Sequence, residues 1–215
     1  PIYREARNDI VPLIAARDGK TIMFMRTKHG VDRQVKKLRR VGINAQGIHG
    51  DKGQGARTRA IEGFAGGSLP VLVATDIAAR GIDISDVSLV VHIDPPAEHK
   101  AYLHRAGRTA RAGTSGTVVT LVMDEQRKDV DQLLRKAGVD AKKVEVSAES
   151  AELAKITGAR KPNGNPLPPP GQTAAPSKTR NQRPQGSRRG RQPNKAHSNP
   201  NGGRRRKRSP RRKEL

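Results

Sequence analysis

The chain has 215 residues with 15 Pro, 22 Gly, no Cys, no Trp and a formal net charge of +23. The lack of cysteine excludes a disulfide scaffold, a Cys-based zinc site and a thiol nucleophile, and no run approaches the roughly 18 to 20 apolar residues that cross a bilayer. A sequence pI near 11.3 calls for a polyanionic partner, because clustered Lys and Arg gain by displacing counterions from phosphates.

At the N-terminus, Pro1-Ile2-Tyr3-Arg4-Glu5 has no apolar signal core, so the expected location is the cytoplasm, with no membrane partner. Thr21-Ile22-Met23-Phe24-Met25 reads as the first buried strand, and Val31, Val35 and Leu38 then repeat at helical spacing. A weaker strand falls near Ala45 to His49, followed by a helical pattern at Ala60, Ile61 and Phe64. Val71 to Ala74, Leu89 to Ile93 and Thr117 to Val122 read as three more strands, and Val130, Leu133 and Leu134 as a last helix. The strands are almost continuously apolar, as a sheet covered on both faces requires. Strand and helix alternate over about 150 residues, which predicts parallel βαβ units in an α/β domain.

Beyond this body the composition changes. Ten of the 15 prolines lie at or after Pro162, among Asn, Gln, Ser, Gly and Arg. From Arg160 to Leu215 there are 17 Lys and Arg against one acid, Glu214, which leaves 26 bases and 19 acids in residues 1–159. Such a segment cannot bury enough apolar surface to offset the entropy of ordering. The expected organisation is a folded domain over 1–146 and a disordered Pro/Arg-rich tail over 147–215.

Ligands of open parallel sheets gather outside the carboxyl ends of the strands, which directs attention to the loops that follow them. After the strand at 71–74, Thr75, Asp76, Arg80, Gly81 and Asp83 crowd one loop, readable by itself as a capped turn with a surface ion pair. Tyr102 to Gly113 holds His104, Arg105, Arg108 and Arg111. If a helix persists that far, His104, Arg108 and Arg111 share a face while Arg105 is turned aside. Guanidinium groups bind phosphate oxygens bidentately and stay charged beside other cations, although a basic helix is more often a solvated face. Gln54 and Arg57 follow Gly53 in the first turn of the helix carrying Phe64, where unpaired N–H groups favour an anion.

In this order and spacing the segments resemble the C-terminal RecA-like domain of DEAD-box RNA helicases, over about residues 4 to 140. Phe24-Met25-Arg26-Thr27 is similar to motif IV, and Gln54-Gly55-Ala56-Arg57 to the Q-x-x-R of motif IVa. Ala74 to Asp83 is similar to motif V almost letter for letter, and His104-Arg105-Ala106-Gly107-Arg108-Thr109-Ala110-Arg111 to motif VI, H-R-x-G-R-x-x-R. The resemblance implies a RecA-like parallel sheet flanked by helices. It makes Arg108 and Arg111 the arginine fingers on the ATP γ-phosphate, and places Asp83 on the nucleotide ribose with Arg80 in the same loop. It puts His104 and Arg105 between two RecA-like domains, and Thr27, Gln54, Arg57 and Thr75 on the RNA sugar-phosphate backbone, a sequence-independent mode of contact.

Four positions depart from the family pattern. Lys52 and Gly53 replace a frequent Leu-Ser pair and remove a hydroxyl cap from the following helix, while Ala106 and Ala110 are mild changes within motif VI. Gly19-Lys20-Thr21 imitates a phosphate-binding loop, but that pattern needs Gly where Ile14 stands. With no D-E-A-D segment either, the phosphate cradle and Mg²⁺ ligands are expected on another, N-terminal RecA-like domain, and the histidines show no metal-site spacing. The expected function is the C-terminal half of an ATP-dependent RNA helicase, inactive alone. Its expected partners are RNA, that N-terminal domain and, through the tail, ribosomal or ribonucleoprotein components. A DNA-directed helicase and a non-enzymatic RNA-binding or annealing protein are the alternatives.

Overall fold

The computed structural model describes residues 4–82, 87–110 and 115–171. These form α1 (Arg4–Ala15), β1 (Lys20–Phe24), α2 (Lys28–Arg40), β2 (Ala45–Ile48), α3 (Gln54–Ala65), β3 (Val71–Ala74) and α4 (Asp76–Ala79). Then follow β4 (Val87–His92), α5 (His99–Ala106), β5 (Thr117–Thr120), a 3₁₀ turn at Asp124–Gln126, α6 (Arg127–Ala137) and α7 (Ala151–Thr157).

The five strands are parallel, in the order β2-β3-β1-β4-β5. Strand residues alternate between faces. Met23, Val71, Val73, Leu89 and Val91 pack with Ile10 and Ile14 of α1, Val31, Val35 and Leu38 of α2, and Leu153 of α7. Ile22, Phe24, Leu72, Ala74 and Val90 pack on the other face with Ala60 and Phe64 of α3 and Ala78 and Ala79 of α4. Two covered faces explain why these strands carry no polar alternation. The connection leaving β1 passes over one face and that leaving β3 over the other, so the chain diverges at the carboxyl edge and opens a crevice there.

At the carboxyl end of β4, His92 is fully buried, its Nδ1 3.0 Å from Thr120 Oγ1 and its Nε2 without a hydrogen-bond partner. The Phe24 and Tyr102 rings meet it edge-on, with centroids 6.2 and 5.1 Å away. Desolvation, reinforced by the Arg105 guanidinium, lowers its pKa to about 3. The unfolded chain therefore takes up this proton first as pH falls. The contribution to stability is complete above the ordinary histidine value and lost progressively below it. Between pH 7 and 5 the chain is expected to lose about 2 kcal/mol through His92, and His92→Gln to flatten that dependence in urea unfolding. Equal slopes for both proteins would refute this.

The expected boundary at 146, with disorder over 147–215, needs correction. Leu153 of α7 is 3% exposed in the core, and α7 and the segment after it hydrogen-bond along α1 and α2. Arg17 Nε donates to Thr157 O at 2.8 Å, Arg160 N to Leu13 O at 2.9 Å, Gly164 N to Val41 O at 3.0 Å and Leu167 N to Arg39 O at 2.8 Å. Arg39 Nε in turn donates to Pro168 O at 2.5 Å. At Gly42 (φ +88°) an added Cβ would lie 1.7 Å from Asn163 Oδ1, so only glycine admits this approach. Composition misjudged the segment because backbone hydrogen bonds to existing helices hold it, and these need few apolar side chains. Packed structure thus extends through Pro168, and 172–215 lie outside the described residues.

Candidate functional site

The loop after β1 and the first turn of α3 build one side of the crevice. Thr27 is the N-cap of α2, its Oγ1 accepting from Gly30 N at 3.0 Å, so the hydroxyl keeps its own proton to offer outward. Gln54, exposed, opens α3 behind Gly53, which makes no side-chain cap. That agrees with the missing hydroxyl noted in the sequence and leaves first-turn amides for an anion. Thr75 is half-buried as the N-cap of α4 and likewise forms no side-chain cap. Arg57 Nη2 donates to Arg80 O at 3.4 Å, which brings the Q-x-x-R segment against the loop that follows β3.

Three residues not assigned from sequence brace this edge. Asp32 on α2 accepts from His49 Nε2 at 3.1 Å and from Lys52 Nζ at 2.8 Å. Burial opposes ionisation there, yet hydrogen bonds from Lys52 and His49 hold the Asp32 carboxyl below its ordinary value. This tie links α2 to the loop entering α3. The signal available was the His49-Gly50-Asp51 run directly after a strand, which names no partner.

A second group gathers around α4 and α5. Arg80, His104, Arg105 and Arg108 line a recess of about 30 Å³ with Phe24, Asp76, Ala79 and Ala101. His104 and Arg80 are exposed. Arg108 is half-buried, donating from Nη1 to Ile82 O at 2.5 Å and from Nε to His104 O at 3.3 Å. The helix does not persist to Arg108: α5 ends at Ala106, with Gly107 as its C-cap. The shared helical face expected for His104, Arg108 and Arg111 is therefore replaced by a turn, in which Arg108 N bonds Arg105 O and Thr109 N bonds Ala106 O. Asp83 and Arg111 lie outside the described residues.

Arg105 departs from its expected interdomain position. Only 2% exposed, it makes a bidentate pair with Asp76 (Nε–Oδ1 2.6 Å, Nη2–Oδ2 2.7 Å), donates to Asp94 O at 2.8 Å and stacks 5.1 Å from the Phe24 ring centroid. It faces inward because the one buried edge of α5 sits over Phe24, where a planar cation finds both a fork and an aromatic face. Arg105 thus clamps the start of the motif V loop to the motif VI helix. Asp94 adds a junction that sequence reasoning missed: its carboxylate accepts from Arg7 Nη1 at 3.1 Å and from Arg26 N at 2.9 Å. Its place two residues after β4 and before Pro95-Pro96 was the available signal.

Ala110, in motif VI, has φ +55°, a left-handed conformation that costs a side-chain-bearing residue roughly 1 to 2 kcal/mol. After allowance for glycine's greater unfolded-state freedom, Ala110→Gly is expected to raise stability by about 0.5 kcal/mol. A lower melting temperature in the variant would contradict this.

Comparison with known proteins agrees with this geometry. The model of the helicase conserved C-terminal domain matches residues 5–113. DEAD-box ATP-dependent RNA helicase 7 of Oryza sativa subsp. japonica is 39% identical over 142 residues, covering 65% of this chain and 20% of its own length. Saccharomyces cerevisiae Dbp5 bound to RNA and ADP BeF3 superposes with TM-score 0.66 at 30% identity, covering 73% of this chain and 42% of that one. The E. coli DEAD-box protein SrmB bound to regulator of ribonuclease activity A gives TM-score 0.59 at 36% identity, covering 75% and 92%. The chain belongs to the helicase conserved C-terminal domain family, as the C-terminal RecA-like domain of the DEAD-box type. It spans about a fifth of the length of the curated relatives it matches.

Proposed function

We propose that this chain supplies half of the RNA cleft and the arginine fingers of an ATP-dependent RNA helicase, which separates duplexes or remodels ribonucleoprotein when joined to an N-terminal RecA-like domain. The observation that carries the reading is the recess at the carboxyl edge, where Arg108 is held by the Ile82 carbonyl beside exposed Arg80. A cationic wall fixed by backbone contacts fits an anionic nucleotide, and its guanidinium groups meet charge developing on transferred phosphoryl oxygens without reorganising. ATP, with Mg²⁺ held by the other domain, would supply the free energy for closure. Asp83 and Arg111 complete the set by family resemblance.

On the RNA side, Thr27, Gln54, Arg57 and Thr75 contact sugar and phosphate, with the first-turn amides of α3 adding a partial positive charge. None of them reads a base edge, so binding is independent of sequence. The bound RNA and ADP BeF3 named for the Dbp5 structure support this reading. His104, exposed beside the recess, faces the partner domain, and the tail recruits ribonucleoprotein components. Among the described residues no helix is long and apolar enough to cross a membrane. A cytoplasmic location belongs to the same reading.

The test is RNA-stimulated ATP hydrolysis by the complete protein carrying this domain, with the 215-residue chain alone as control. Stimulation by RNA and not by DNA, with no hydrolysis by the chain alone, is the expected result. DNA stimulation would select a DNA-directed enzyme. RNA binding without hydrolysis by the complete protein would select a binding or annealing role.

A further inference from the structure

The buried stripe of α2 is Val31, Gln34, Val35 and Leu38; the opposite side carries Arg33, Lys36 and Arg40, all exposed. Positions 33, 36 and 40 fall within a stripe about 60° wide at 100° per residue. Among the described residues none of the three has an ion-pair or hydrogen-bond partner. The helix has six bases and one acid, and that acid, Asp32, is already taken by His49 and Lys52. Lys37 donates to Asn8, and Arg39 holds the segment after α7. Bases in the last turn complement the helix dipole, which accounts for Arg40 but not for Arg33 or Lys36.

Two further features give the stripe a direction. It begins six residues past Thr27, on the RNA side of the crevice, and runs about 10 Å along the helix at 1.5 Å per residue. At its far end, the bonds from Gly164 N to Val41 O, from Leu167 N to Arg39 O and from Arg39 Nε to Pro168 O anchor the polypeptide against the C-terminal end of α2. The sequence that follows, 172–215, contains 15 bases and one acid.

We propose that the Arg33, Lys36 and Arg40 stripe of α2 is a second, sequence-independent phosphate-binding site, which takes the single-stranded RNA flanking the segment in the crevice. It rests on the RNA reading above. Three evenly spaced, exposed cations bind backbone phosphates by releasing counterions and need no aromatic platform. The anchored segment, Gly164 to Pro168, lies at the end of the stripe away from the crevice.

The experiment uses the 215-residue chain and a single-stranded RNA of about 20 nucleotides, with affinity measured across a salt series. The Arg33→Gln, Lys36→Gln, Arg40→Gln triple variant keeps good helix formers on an exposed face, so folding is retained. Each phosphate contact contributes about 0.7 to the slope of log affinity against log salt, so the triple variant should flatten it by about 2. The matched control removes the same charge from exposed positions of α6 (Lys128→Gln, Arg135→Gln, Lys136→Gln) and should leave the slope in place. An unchanged slope in the α2 variant, or an equal change in both triples, overturns the proposal. Arg57→Ala, assayed alongside, reports on the crevice: if it binds as well as the parent chain, the crevice assignment fails, while the α2 site is still judged by its own variant.

Discussion

Arg105→Ala is expected to destabilise the chain by about 3 kcal/mol, the largest single loss within the motif VI helix. The substitution removes two charge-assisted bonds to Asp76, one to the Asp94 carbonyl and the stack on Phe24, and leaves a void beside a ring that is 1% exposed. Breaking a buried ion pair leaves its partner uncompensated, which costs about 3 to 5 kcal/mol when both groups are enclosed. The Asp76 side chain is 36% exposed and can rehydrate, which puts the effect at the lower end. Arg105→Lys should recover little, because a point charge cannot make the fork or the stack. Urea unfolding of the three proteins gives the answer. A loss under about 1 kcal/mol would mean that the clamp between the motif V loop and α5 carries little of the fold's stability.

Arg108→Ala should do the reverse, sparing stability and abolishing turnover. Its guanidinium bonds two backbone carbonyls at the domain rim, and a partly exposed pair of this kind is worth about 1 kcal/mol. If Arg108 is the arginine finger of the helicase proposed above, the substitution should lower RNA-stimulated ATP hydrolysis by the complete protein by about 10³ to 10⁵ with RNA affinity maintained. Arg108→Lys should not restore the rate, since the transition state presents several oxygens to a planar fork. Turnover within tenfold of the parent enzyme would remove Arg108 from the catalytic set.

The strands were legible because a doubly covered parallel sheet needs unbroken apolar runs, and 71–74 and 89–93 supply them. The strand at 45–48 read weakly because Gln46 and Gly47 interrupt the run at the sheet edge. α1 escaped notice because Pro12 reads as a breaker, yet Ile10, Val11 and Ile14 are at most 2% exposed, and their packing outweighs the local preference. Motif spacing brought His104, Arg108, Arg80 and the RNA-side residues to one edge, but it could not orient Arg105. Whether a side chain one position along a helix points into a core or across a cleft depends on what lies beneath, and here that is Phe24, some eighty residues earlier in sequence. The segment after α7 was misread for the same kind of reason: its hold is on backbone atoms of α1 and α2, which leave no mark on composition.

Asp94 ties Arg7 of α1, the Arg26 amide one residue before Thr27 and, through its carbonyl, the Arg105 clamp. A genetic screen would score substitutions there as defective in both nucleic-acid and nucleotide phenotypes, although the residue need touch neither ligand. Second-site suppressors of such alleles should then scatter over α1, the loop after β1 and α5, mapping a mechanical junction and not a binding surface.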